Sequence, residues 1–145
     1  MDLQGITKEE LVEKALAFHK NNYTCSQSVL CSFDSILNID HTVLFQLSEG
    51  FGGGMGTKEG YCGGLTGAIM AISAANSNGD AAKLSKAKTY VLDGILIDRF
   101  NREAGSVICK EIKGPTPVEG NALISCDECI KLGVSKAYDM LKNEI

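Results

Sequence analysis

The side chains best suited to chemistry in this 145-residue chain are its six cysteines: Cys25, Cys31, Cys62, Cys109, Cys126 and Cys129. A thiolate is a nucleophile and a soft metal ligand, and two thiols in reach of one another can exchange two electrons with an external disulfide. At 6 in 145, or about 4%, cysteine falls well short of the roughly 8–10% that marks a disulfide scaffold. A chain of this length also buries enough surface to fold without staples. Cys25 follows Thr24, Cys126 follows Ser125 and Cys62 follows a glycine run, so all three fall at expected helix starts. There the unbonded N–H groups and the macrodipole favour thiolate over thiol, and a lowered pKa is expected. Cys126 and Cys129 form Cys-x-x-Cys, about 60° apart on a helix and able to share a disulfide or a metal. The expected nucleophile is Cys62 or Cys126, with Cys25, Cys109 and Cys129 as partners. Cys31 points away from Cys25 on the same helix and is expected to be packing.

The elements that must position these thiols read as helices. Thr7-Lys8-Glu9-Glu10 and Thr24-Cys25-Ser26-Gln27 are capping boxes, in which the hydroxyl and the side chain three residues on satisfy the first free N–H groups reciprocally. Leu11, Val12, Ala15, Leu16 and Phe18 carry the first helix to about Lys20, and Val29, Leu30, Phe33, Ile36 and Leu37 give the second its buried stripe. A short helix is expected over Thr42–Ser48 and another from Cys62 to about Ala75. In the latter, Gly63, Gly67, Ala71 and Ala75 lie four apart and permit close helix packing. The longest is expected over Asp80–Ala104, with Leu84, Ala87, Val91 and Ile95 in one line, Leu92, Leu96 and Phe100 beside it, and Gly105 ending it. Lys110–Ile124, with Pro115 and Pro117, reads as a loop, and Ser125 to Glu128 as a third capping box before a final helix through Leu132, Ala137 and Leu141. Alternating strand patterns are missing. The expectation is one all-α domain spanning residues 1–145, a bundle of about five or six helices with one glycine-rich loop.

That loop holds nine of the sixteen glycines between Gly50 and Gly67. It is not a nucleotide loop: Gly56-Thr57-Lys58 inverts the P-loop order, no register gives G-x-G-x-x-G, and the segment before it is helical in pattern. It supplies adaptable backbone leading into a helix start that bears a cysteine, suited to a thiolate, an anion or a sulfur-ligated cluster. The net charge of −4 without a basic block speaks against nucleic acid. The amino terminus lacks the pattern of a secretory leader, and no apolar run approaches the ~20 residues of a membrane span. These features predict a cytoplasmic protein without membrane insertion, whose cysteines are reactive or metal-binding rather than permanently paired. His19 and His41 have no ligand spacing and receive no role. Arg99 and Arg102 complement the end of the long helix.

Several ordered segments resemble the C-GCAxxG-C-C family of redox proteins. They are Asn22-Tyr23-Thr24-Cys25-Ser26-Gln27-Ser28, Gly50-Phe51-Gly52-Gly53-Gly54-Met55, Cys62-Gly63-Gly64-Leu65-Thr66-Gly67-Ala68, Gly105-Ser106-Val107-Ile108-Cys109 and Cys126 to Cys129. The resemblance spans nearly the whole chain. Its four signature cysteines match Cys25, Cys62, Cys109 and either Cys126 or Cys129, while Gly64 stands where the family has Ala and Tyr61 where its name shows Gly. It implies a cysteine-based redox protein, of oxidoreductase character if it is an enzyme, exchanging electrons with a redox partner that the sequence does not identify. A likeness to part of split-Soret-type cytochromes implies an iron–sulfur or electron-transfer setting. Haem itself is not expected, because Ile130 rather than His follows Cys129. Two alternatives stand beside this reading. In one, Cys25, Cys62, Cys109, Cys126 and Cys129 ligate an iron–sulfur cluster or zinc; in the other, the cysteines only pack. A homo-oligomer is compatible with all three.

Overall fold

The computed structural model describes residues 3–113 and 123–142. Among them are eight helices: α1 (Lys8–Lys20), α2 (Cys25–Ser32), α3 (Asp34–Leu37), α4 (His41–Ser48), α5 (Gly63–Asn76), α6 (Lys86–Ala104), α7 (Cys109–Lys113) and α8 (Cys126–Leu141). The fold is all-α. Eight helices are more than the five or six expected: six are eight residues or longer, and α3 and α7 are additional short turns of helix. Extended pairing among the described residues is limited to one antiparallel bridge, Tyr61 with Ile108.

The amino-terminal caps form as the sequence predicts. Thr7 and Thr24 each accept from the third helical N–H while Glu10 and Gln27 reach back to the cap N–H. At α8 the box is half-formed: Ser125 accepts from the Glu128 N–H, but the Glu128 carboxylate turns to Lys131 at 3.4 Å. Gly105 ends α6 with φ +83°, a conformation that costs glycine little. The long helix begins at Lys86 rather than Asp80. Ahead of it, Ser85 Oγ accepts from the Asn78 N–H at 3.0 Å, the Asn78 side-chain amide donates to the Lys83 carbonyl at 3.0 Å, and Gly79 takes φ +67°. Such local side-chain to backbone bonds offer the chain an alternative to helix. The line Leu84–Ala87–Val91 also faces solvent, with Leu84 73% exposed, and α6 instead buries Thr89, Leu96, Phe100 and Ala104. Helix α7 occupies the start of the expected Lys110–Ile124 loop; residues 114–122 of that loop lie outside the described residues.

Helix α5 sits at the centre, packed against α8 on one side and α2 on the other, with α1 closing over α2 and α8. Phe33, Leu65, Ile72, Phe100, Ile130 and Val134 are fully buried between these helices, each side chain contributing about 1.5–3 kcal/mol. Close approach depends on missing side chains. A Cβ on Gly67 would stand 2.7 Å from the Ser26 carbonyl oxygen, and one on Gly64 would stand 2.5 Å from the Cys129 carbonyl oxygen. Gly67, in the small-residue row of α5, therefore admits α2, and Gly64, outside that row, admits α8 into backbone contact.

Helix α2 is buried along almost its whole length, so its polar groups need partners. Ser26 Oγ donates to the Ser48 carbonyl at 2.7 Å and the Gln27 amide to the Phe45 carbonyl at 3.0 Å. Both histidines have partners too. His41 lies 2.8 Å from the Tyr23 hydroxyl through Nε2 and 2.9 Å from Asp34 through Nδ1, while Lys14 meets the same carboxylate at 2.5 Å. His19 lies 3.0 Å from Asp127 and ties the end of α1 to the start of α8.

Candidate functional site

The site is assembled from four helix starts and one lysine. Cys25 is the first residue of α2, Cys62 the cap of α5, Cys109 the first residue of α7 and Cys126 the first residue of α8, with Cys129 one turn on. Glycines bring these starts together. A Cβ on Gly63 would overlap the Cys25 sulfur, and one on Gly54 would stand 2.5 Å from the Cys109 Cβ. For Gly54 to sit there, the chain from Gly53 to Gly56 winds through a left-handed turn, with φ of +60°, +62°, +61° and +74° in succession. L-residues other than glycine occupy that region at a cost of roughly 1–2 kcal/mol each, and only Met55 does so within the turn. This explains why the segment is rich in glycine. The turn is tied down by bonds from the Gly60 N–H to the Gly54 carbonyl (3.1 Å), the Cys109 N–H to the Gly60 carbonyl (3.0 Å) and the Cys62 N–H to the Val107 carbonyl (2.7 Å).

All six cysteines are free thiols. Cys62 and Cys129 meet directly, the Cys62 thiol donating to the Cys129 sulfur. The Lys113 ammonium donates to the same sulfur at 3.1 Å and to the Ile124 carbonyl at 3.0 Å. The contact favours the proton on Cys62 and the negative charge on Cys129. The hydrogen bond to Cys129, followed by burial, lifts the Cys62 thiol far above the ordinary range. The Cys62 hydrogen bond and the Lys113 ammonium together overcome burial at Cys129, lowering its pKa from 9.0 to about 7. Lys113 responds in kind: burial disfavours its charge, but the Cys129 thiolate outweighs burial and raises its pKa.

Burial lifts the Cys109 thiol, and partial desolvation lifts Cys126 even though the residue is exposed, with Lys113 pulling both the other way. Each also feels the negative charge that Cys25 or Cys129 would carry. Lys113 is thus within electrostatic reach of Cys62, Cys109, Cys126 and Cys129, and Cys25 within reach of Cys62, Cys109 and Cys126. Cys31 is elsewhere, fully buried beside Asp34 and Lys14, its thiol pushed up to about 11 chiefly by burial.

Two expectations are corrected here. The thiols of Cys62 and Cys126 were expected to be lowered by their helix starts. At Cys62 the hydrogen bond to Cys129, followed by burial, and at Cys126 burial outweigh the macrodipole, which is worth only ~0.3–1 kcal/mol at exposed positions. The thiolate instead belongs to Cys129, expected only as a partner. The residue missed in sequence is Lys113, in a segment read as loop. No spacing rule would have found it, because its contact with Cys129 spans 16 residues of chain.

As for a metal, four-thiolate sites for zinc or an iron–sulfur cluster need ligands converging on one point. Among the described residues no three His, Cys, Asp or Glu side chains form a group that could hold an ion, so this arrangement does not fit such a group. None of the described helices is long and apolar enough to cross a membrane.

The all-α bundle thus brings helix starts that bear thiols close to one half-buried ammonium. Residues 23–143 match the model of the family described as "Putative redox-active protein (C_GCAxxG_C_C)", and the chain belongs to this family. No curated protein and no solved structure matches it.

Proposed function

We propose that the protein is a two-electron thiol–disulfide carrier in which Cys62 and Cys129 are the redox pair. The observation that carries this reading is the Cys62–Cys129 contact held against Lys113. A thiolate with pKa about 7 is near the optimum for disulfide exchange at neutral pH, ionised in large part yet still nucleophilic. Its neighbour is a protonated thiol already within reach. In the oxidised state the two sulfurs are joined, the Cys62 proton has left, and Lys113 loses the negative charge it faces. Cys25, Cys109 and Cys126 surround the pair, and their influence on it is electrostatic in the reduced state.

A purely structural role for the cysteines accounts poorly for this arrangement. Placing an ammonium on a buried sulfur costs desolvation at both groups, whereas an apolar residue at either position would pack without that cost. The test is equilibration of the reduced protein in dithiothreitol buffers of graded oxidation, with thiol counting and peptide mapping. The expected result is loss of two thiols in the monomer and a disulfide linking Cys62 to Cys129. Retention of all six thiols across the whole buffer range refutes the proposal.

A further inference from the structure

The redox pair is sealed. Cys129 is 0% and Cys62 2% exposed, so neither sulfur can meet an external disulfide in line with its S–S bond while the bundle is intact. Cys109 is buried as well and Cys25 is half-buried, whereas Cys126 is exposed. Cys126 lies one turn before Cys129 on the same helix, so the two sulfurs project on nearly the same side. The Lys113 ammonium, which donates to Cys129 at 3.1 Å, also favours the charged form of Cys126. The ammonium therefore stands beside the surface thiol and the buried thiolate together.

We propose that Cys126 is the surface relay of the protein, passing disulfides between solvent and the buried Cys62–Cys129 pair, with Lys113 as the positioning residue for both sulfurs. This rests on the reading of Cys62 and Cys129 as the redox pair and adds the route by which the pair is reached. In the oxidising direction the Cys126 thiolate attacks an external disulfide. One external sulfur leaves as a thiolate, takes a proton from solvent, and a mixed disulfide remains on Cys126. The Cys129 thiolate then attacks the Cys126 sulfur and expels the second external thiolate, leaving a Cys126–Cys129 disulfide. Finally Cys62 gives up its proton and attacks the Cys129 sulfur, and Cys126 departs as a thiolate that is reprotonated. Overall, two protein thiols become one disulfide, and the external disulfide becomes two thiols. Every step is an exchange at sulfur and reverses in excess external thiol. The substrate class is a disulfide able to approach an exposed helix start.

The relay and the redox pair fail separately in one experiment. Reduced wild type, C126S and C62S are mixed with the small neutral disulfide bis(2-hydroxyethyl) disulfide, and the products are followed by rapid acid quench and peptide mapping. In the wild type a transient Cys126 mixed disulfide is expected before the Cys62–Cys129 disulfide. In C126S, whose substituted side chain is exposed, the same final disulfide is expected at a rate at least tenfold lower. Equilibration in dithiothreitol buffers should still reach the wild-type ratio of oxidised to reduced pair. In C62S the reaction should stop at Cys126–Cys129. Oxidation of C126S at the wild-type rate overturns the relay and leaves the redox pair standing. Absence of any Cys62–Cys129 disulfide in the wild type overturns the underlying reading itself.

Discussion

Lys113→Met removes the ammonium while keeping an unbranched side chain of similar reach, and so isolates what the charge does for Cys129. A unit charge pair at 3.1 Å is worth about 5 kcal/mol at an effective dielectric constant of ~20, but desolvation of the half-buried lysine takes back much of this. Charge-assisted hydrogen bonds contribute about 1.5–3 kcal/mol net. At 1.36 kcal/mol per pH unit, that is roughly 1–2 units. The Cys62 hydrogen bond survives the substitution, so Cys129 should move from about 7 most or all of the way to an ordinary thiol value. The assay is titration of thiolate ultraviolet absorbance, with the C129S variant subtracted to isolate this one sulfur. Stability should follow the same linkage. A folded-state pKa lowered from 9.0 to about 7 contributes stability that is fully present above pH 9.0 and is lost as the pH falls through 7. Urea denaturation of wild type and variant should therefore diverge in mildly alkaline buffer and converge below pH 7. An unchanged titration midpoint in Lys113→Met would falsify the assignment of Lys113 as the group that holds the charge on Cys129.

Four other predictions concern the frame around the site. Gly133→Ala should cost more than about 2 kcal/mol, the range of overpacking in a dense core, because its Cβ would collide with the Gly64 carbonyl across the α5–α8 contact. Gly94→Ala, in open space on α6, should gain about 1 kcal/mol of helix propensity; urea melts read both. At Asp34 burial raises the carboxyl, but hydrogen bonds from Lys14 and His41 outweigh it and the net pKa is lowered. Its contribution is then present above the unfolded carboxylate range and lost as the pH falls through the folded value, so acid titration of stability should be flatter in Asp34→Asn than in wild type. Cys31→Ala should cost about 1 kcal/mol or more for the buried volume and leave the number of thiols lost on oxidation unchanged; a changed number would draw Cys31 into the redox site.

Most of the local architecture was legible in the chain because the interactions that set it are local. The Thr7 and Thr24 boxes and the Gly105 cap each act within a few residues. The turn before α6 was missed for a related reason. Asn78, Gly79 and Ser85 compete with helix through bonds to their own neighbourhood, while the apolar line from Leu84 to Val91 suggested a buried face that the bundle leaves in solvent. Helix α7 was missed because the glycine and prolines beyond Lys113 coloured the reading of the residues before them.

The sequence places Cys25, Cys62 and Cys126 at helix starts and Cys31 apart from Cys25, because caps and helical spacing are local properties of the chain. Which thiol carries the charge is not such a property. The macrodipole is a short-range local effect, and it pointed to Cys62 and Cys126. Tertiary packing reversed that order by burying Cys62 against Cys129 and by laying Lys113, from a different helix, over the Cys129 sulfur. Desolvation and a facing ammonium depend on what lies across the core, and each is larger than the field of a helix end. The sequence by itself determined that Cys25, Cys62 and Cys126 stand at helix starts; only the folded bundle decided that Cys109 joins them, that charge favours Cys129 over Cys62, and that Cys126 alone among the thiols is exposed.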